Sequence, residues 1–183
     1  MDEICGAPEL DALIETIRIG RGDPLAETDR LIAIHPRDAR LHFLRGSLLA
    51  SAARPIEAHA ALAQAVSLAP DFALARFQLG FFELTSGEAA RARETWRPLA
   101  ALPADHYLAL FVAGLDHLID DRFEPAIAKL SEGIAANTEN PPLNRDMQLL
   151  IDRCRGIEQT AEDPREMSAT SLLLGQTGSG LLH

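Results

Sequence analysis

The sequence predicts an all-α protein: a solenoid of antiparallel helix pairs closed by a C-terminal capping helix. Three observations carry that prediction. Alanine and leucine dominate while aromatic residues make up only 5% of the chain, a balance that favours helix over sheet. Residues recur at a 34-residue interval: Gly46, Gly80 and Gly114; Ala58, Ala92 and Ala126; Leu62, Trp96 and Leu130; Phe43, Phe77 and Phe111; Pro36 and Pro70. A shared interval at so many positions marks stacked supersecondary units. Within each interval, apolar residues at helical spacing run twice, with one short break between the runs.

The elements follow in order. Pro8 to Ile19 reads as a helix, and Asp23-Pro24 opens a second that runs to Ile34 and closes at His35-Pro36. Residues 1–36 are therefore a degenerate N-terminal helix pair. Residues 37–140 hold three repeats, at 39–72, 73–106 and 107–140. In the middle repeat Ala73 to Thr85 is the first helix, Ser86-Gly87 breaks it, and Glu88 to Leu99 is the second, ending before Leu102-Pro103. The repeated glycine and alanine are small because two helices approach closely there, where a larger side chain overpacks by about 1–3 kcal/mol. Asn140-Pro141-Pro142 introduces the capping helix, 141–155, amphipathic from Leu143 to Arg155 with Arg145, Asp146, Asp152 and Arg153 on its polar side. Residues 156–183 are rich in acids, Ser, Thr and Gly, which predicts a disordered tail.

These repeats resemble the tetratricopeptide repeat (TPR) family, whose pattern runs bulky residue, leucine-glycine, aromatic, alanine, bulky residue, proline over 34 residues. Leu79-Gly80 matches the leucine-glycine pair; the others read Arg45-Gly46 and Ala113-Gly114. The alanine is present in all three, the later bulky residue is Leu62, Trp96 or Leu130, and Pro70 closes the first repeat. Pro103 sits one residue early and Thr138 stands in for the third proline. The opening bulky residue is replaced by His42 and Arg76, with Leu110 alone apolar, and the mid-helix aromatic by Leu49, Glu83 and His117. The resemblance implies a right-handed solenoid and a protein-binding module, its concave groove lined by the first helix of each pair.

Helical spacing selects the groove-facing residues: Arg40, Phe43, Ser47 and Ala50; Leu74, Phe77, Phe81 and Leu84; Leu108, Phe111, Leu115 and Leu118. The candidate partner site is Phe43, Leu74, Phe77, Phe81, Leu84, Leu108, Phe111 and Leu115. Family members that clamp a C-terminal carboxylate need lysine, arginine and asparagine on this face, and this chain has leucine and phenylalanine. The expected partner is an amphipathic helix or peptide with apolar anchors, and the expected role is a non-catalytic adaptor or scaffold. The bland reading of the same stripe is a face packed against neighbouring helices. Other readings are a dedicated cytosolic chaperone for one secreted or membrane-active client, self-assembly through an uncapped end, and a groove filled by Leu172, Leu173 and Leu174 of the tail.

Enzymatic signals are poor, and the reading is no enzyme, no cofactor and no metal. Asp116, His117, Asp120 and Asp121 offer a lower alternative, a metal-dependent enzyme or regulator, because His117 and Asp121 stand one helical turn apart. A solvated helix end explains the same residues. Arg91, Arg93 and Arg97, interleaved with Glu88 and Glu94, read as surface ion pairs. The segment Gly175-Gln176-Thr177-Gly178-Ser179-Gly180 follows three leucines but lacks the lysine, the magnesium-binding hydroxyl and the helix of a phosphate loop, so no nucleotide is expected. A net charge of −10 and a pI near 5.0 argue against nucleic acid and an anionic membrane surface. Cys5 and Cys154 make no C-x-x-C pair, and the acidic MDEICGAPEL start carries no secretory signal, so a cytoplasmic location is expected.

Overall fold

The computed structural model describes residues 4–20 and 22–160. Among the described residues the chain forms nine α-helices and one short 3-10 helix, with no strand. They are α1 (Ala7–Ile19), α2 (Pro24–Ile34), α3 (Ala39–Ser51), α4 (Pro55–Leu68), α5 (Ala73–Thr85), α6 (Ala89–Trp96), the 3-10 helix Arg97–Ala101, α7 (Tyr107–Ile119), α8 (Phe123–Ala136) and α9 (Pro141–Thr160). The all-α class predicted from composition and periodicity is the class observed. The chain falls into two compact units, one through Leu79 and one from Gly80, so the division lies inside α5.

In the first unit, α1 and α2 join α3 around a cluster of Cys5, Leu10, Leu13, Leu31 and Leu41, with Ile17, Ile32 and Leu44 packed on it. Asp23 caps α2 by accepting a hydrogen bond from the Ala26 N–H at 3.0 Å, and Pro24 supplies the preset φ of a first turn. Helices α3 and α4 pack closely. A Cβ built on Gly46 would meet Leu62 Cγ at 2.7 Å, Cδ2 at 2.8 Å and the Leu62 nitrogen at 3.2 Å.

In the second unit, α7 and α8 reproduce that contact. A Cβ on Gly114 would meet Leu130 Cγ at 2.7 Å, Cδ2 at 2.8 Å and N at 3.1 Å. Gly80 makes the corresponding approach to the Trp96 indole. Glycine is required at these positions because the facing Leu62, Trp96 and Leu130 side chains fill the space a Cβ would take, the close helix approach that the repeating pattern implied.

The turns recur as well. Helices α3, α5 and α7 each end in a Schellman motif: Arg54 N–H donates to Leu49 C=O, Glu88 to Glu83 and Arg122 to His117, all at 2.9 Å. The residue before each donor, Ala53, Gly87 or Asp121, is left-handed at φ 55, 87 and 56°. The links into α3, α5 and α7 also match, since Asp38, Phe72 and His106 donate their N–H to His35, Ala69 and Pro103 at 3.1, 3.0 and 3.0 Å. His42 and Arg76, which replace a bulky residue, bind the link instead. His42 Nε2 pairs with Pro36 C=O at 2.9 Å and Arg76 Nη2 donates to Pro70 C=O at 2.8 Å.

Two helices end elsewhere than the sequence suggests. The second helix of the middle repeat, expected over Glu88 to Leu99, leaves α geometry at Trp96 and tightens into the 3-10 turn. Pro98 is the cause, because its ring clashes with the carbonyl four residues back and it has no N–H to donate. Helix α9 continues through Gly156 to Thr160, beyond the expected limit of 155. Its buried residues Leu143, Met147, Leu150, Ile151 and Cys154 hold one face at helical spacing, and Arg145 and Asp152 are exposed opposite. At its start Asn137 Nδ2 donates to Asn140 C=O and to Asn144 Oδ1 at 2.8 and 2.7 Å. The glycine-rich segment 175–180 and the leucines 172–174 lie outside the described residues.

Candidate functional site

The eight residues of the apolar stripe do not share one environment. Phe77, Leu84, Leu108, Phe111 and Leu115 are buried, whereas Phe43, Leu74 and Phe81 are half-buried. Phe111 packs under α8, where a Cβ on Gly133 would strike its ring, and Tyr107 meets it edge-on at a centroid distance of 5.9 Å. Phe43 lies against Phe72 with centroids 5.3 Å apart. Buried phenylalanines stabilise helix packing, and only the half-buried members keep surface open to solvent. On α5, Leu74 and Phe81 lie two turns apart on one helix face.

Around Asp116 to Asp121 the Asp116 and Asp120 carboxylates are taken up by arginine. Arg93 Nε donates to Asp116 Oδ1 at 2.6 Å, its Nη2 donates to Asp120 Oδ1 at 2.6 Å, and Arg122 approaches Asp120 at 3.2 Å. The Arg93 hydrogen bond holds the Asp120 carboxyl below its usual value. A guanidinium standing where a cation would enter opposes metal binding at these two acids. His117 contributes a buried Nδ1 with no hydrogen-bond partner among the described residues. Two of the three neighbouring arginines use partners the sequence did not suggest. Arg97 pairs with Glu94 as expected, but Arg91 reaches the buried Glu83 at 2.9 Å, and Arg93 ties α6 to α7.

A third constellation was not legible in the sequence. Cys5, Glu9 and His35 bring a thiol, a carboxylate and an imidazole together, with their ligand atoms within 4.8 Å of one another. Cys5 precedes α1, Glu9 lies in its first turn, and His35 is the C-cap of α2. Cys5 and Glu9 are four apart in sequence, a spacing too common to signal a site, and nothing local ties His35 to them. Only the packing of α1 on α2 does so.

Cys5 is fixed from behind. Its N–H donates to Asp38 Oδ2 at 2.9 Å, and its C=O accepts from Arg40 Nη2 at 2.8 Å. Arg40 also grips both Asp38 oxygens, at 3.0 and 2.6 Å. Burial alone would raise the Asp38 carboxyl, but the bonds from Arg40 and the Cys5 N–H outweigh it and hold it low. Burial pushes the Cys5 thiol up, and the Glu9 and Asp38 carboxylates add to the rise against a smaller pull from Arg40.

Comparison with known proteins finds no family model that matches the chain and no significantly similar curated protein. Among the described residues no helix is long and apolar enough to cross a membrane.

Proposed function

We propose that the chain is a TPR-type, right-handed solenoid that serves as a non-catalytic protein-interaction module in the cytoplasm. It binds an apolar helix or peptide on the face formed by the first helix of each pair. One observation carries this reading: helix-pair contacts and turns recur at a 34-residue interval, the same Gly–Leu approach at Gly46 and Gly114 and the same Schellman closure at residues 53, 87 and 121. A chain of repeated pairs presents a series of equivalent first-helix faces, a form suited to extended ligands. Half-buried Phe43, Leu74 and Phe81 provide anchors on those faces, while Phe77, Leu84, Leu108, Phe111 and Leu115 are buried within the helix packing.

The test is a lysate pull-down comparing the intact protein with Leu74→Glu/Phe81→Glu, both kept folded as judged by circular dichroism. These positions are chosen because a glutamate at buried Phe77 or Phe111 would unfold the helix pair rather than probe its surface. A partner held by the intact protein and lost by the variant supports the proposal. Identical protein sets from both would remove the α5 face as the binding site.

A further inference from the structure

The cluster of Cys5, Glu9 and His35 shares no residue with the α5 face and has no part in the function proposed above. Its three donor types are those zinc takes, and a thiolate plus a carboxylate offset the ion's two charges while the imidazole binds neutral. In a tetrahedral site with Zn–S near 2.3 Å and Zn–N or Zn–O near 2.0–2.2 Å, adjacent donors stand roughly 3.3–3.6 Å apart. Here Cys5 Sγ lies 3.8 Å from Glu9 Oε2, and His35 Nε2 lies 3.9 Å from the same oxygen. Both exceed that spacing by a few tenths of an ångström, and all three ligand atoms lie within 4.8 Å of one another. Closing on an ion therefore calls for shifts of more than one side chain, with most room at Glu9, 54% exposed against 11% for the His35 side chain.

The surroundings favour a site over a chance meeting of side chains. Cys5 is only 3% exposed, yet its Sγ faces the Glu9 carboxylate and the Gly6 C=O, 3.7 Å away, instead of apolar atoms alone. Its backbone is held on both sides by the Asp38–Arg40 pair, which fixes where the thiol side chain leaves the chain. Such outer-shell bonds are what orient metal ligands. We infer that Cys5 Sγ, a Glu9 carboxylate oxygen and a His35 imidazole nitrogen form a binding site for a zinc-class divalent cation. The site has a buried thiol at its floor and a fourth position facing solvent through the exposed Glu9 side. Bound metal would link the start of α1 to the end of α2, so it would stabilise the N-terminal unit as well as hold an external ligand.

Full-length, tag-free protein stripped with a chelator and titrated with Co(II), then competed with Zn(II), tests this. The expected result is about one equivalent bound, a thiolate-to-cobalt charge-transfer band in the near ultraviolet, displacement by Zn(II), and a higher Tm with Zn(II). Cys5→Ser should abolish the band, and Glu9→Gln and His35→Gln should each weaken binding by about tenfold or more. Glu9 is exposed, so Glu9→Gln remains informative even if the variants at the buried positions fail to fold. Absence of a charge-transfer band, or affinity in Glu9→Gln within about tenfold of the unmodified protein, overturns the assignment.

Discussion

Leu49, Glu83 and His117 hold the same place in three successive repeats, near the end of the first helix, and the side chain decides what that place costs. Leu49 is fully buried and needs no partner. Glu83 is just as buried and is met by Thr95 Oγ1 at 2.6 Å and Arg91 Nε at 2.9 Å. His117 keeps a buried Nδ1 without a hydrogen bond among the described residues. Removing one partner from a buried polar group costs about 1–3 kcal/mol, whereas replacing the whole group by an apolar one of similar shape is near neutral. Thr95→Val should therefore destabilise the protein by about 1–3 kcal/mol, and His117→Leu should stabilise it by up to about 1 kcal/mol, both read from urea midpoints at unchanged slope. At Gly114 the balance runs the other way. Alanine gains about 1 kcal/mol of helix propensity but drives a Cβ to 2.7 Å from Leu130 Cγ, beside a backbone nitrogen at 3.1 Å. Leu130 is itself fully buried and cannot swing aside. Overpacking of about 1–3 kcal/mol should win, so Gly114→Ala lowers stability, and a higher urea midpoint would show that α7 and α8 can separate.

Helices were legible wherever their signals are local. Asp23-Pro24 and Ser86-Gly87 mark ends that depend on capping and on positive φ, and the structure places ends there. Ala53 shows what the same signal misses: it takes the left-handed position that Gly87 takes, without being glycine. Because a Cβ is costly in that conformation, Ala53→Gly should raise stability by about 1 kcal/mol, seen as a higher Tm. The end of α6 is not legible from apolar spacing, which continues across Pro98 while the helical backbone cannot. Pairings between elements were less legible, since they depend on which faces meet. Arg93 reads as a local surface charge, yet it joins α6 to Asp116 and Asp120 of α7 and its continuation. The Cys5–Glu9–His35 cluster is hidden for the same reason. The Arg93 bond has a pH signature with a definite sign. Asp120 is held below its unfolded value, near 3.9, so its pairing stabilises the fold above that pH and is lost as pH falls through the lower folded value. Arg93→Gln should then lower Tm at neutral pH, and the gap to the unmodified protein should shrink as the pH falls below the unfolded value and through the lower folded one. A gap independent of pH would mean that Arg93 acts through packing of its stem alone.

At the scale of the whole molecule the dominant quantity is a net charge of −10. Acids outnumber bases along the chain, and mutual repulsion among carboxylates opposes the compact state. Screening relieves it, because the Debye length falls from about 30 Å at 0.01 M to about 10 Å at 0.1 M salt. Tm should accordingly rise over that range, although the exposed Arg–carboxylate pairs weaken at the same time. The same charge supplies a competing account of partner binding. A basic partner could be drawn to the acidic surface with no use of Phe43, Leu74 or Phe81, and such an attraction weakens steeply with salt. Binding through apolar anchors changes little with salt, because the buried area that drives it carries no charge. The pull-down should therefore be run at low salt and again near 0.5 M, where the Debye length is below about 5 Å. If apolar anchors carry recognition, the partner stays on the intact protein at both concentrations and is absent from Leu74→Glu/Phe81→Glu at both. A partner that washes off the intact protein at high salt, yet binds the variant equally well at low salt, would assign recognition to the acidic surface and leave the apolar stripe with packing alone.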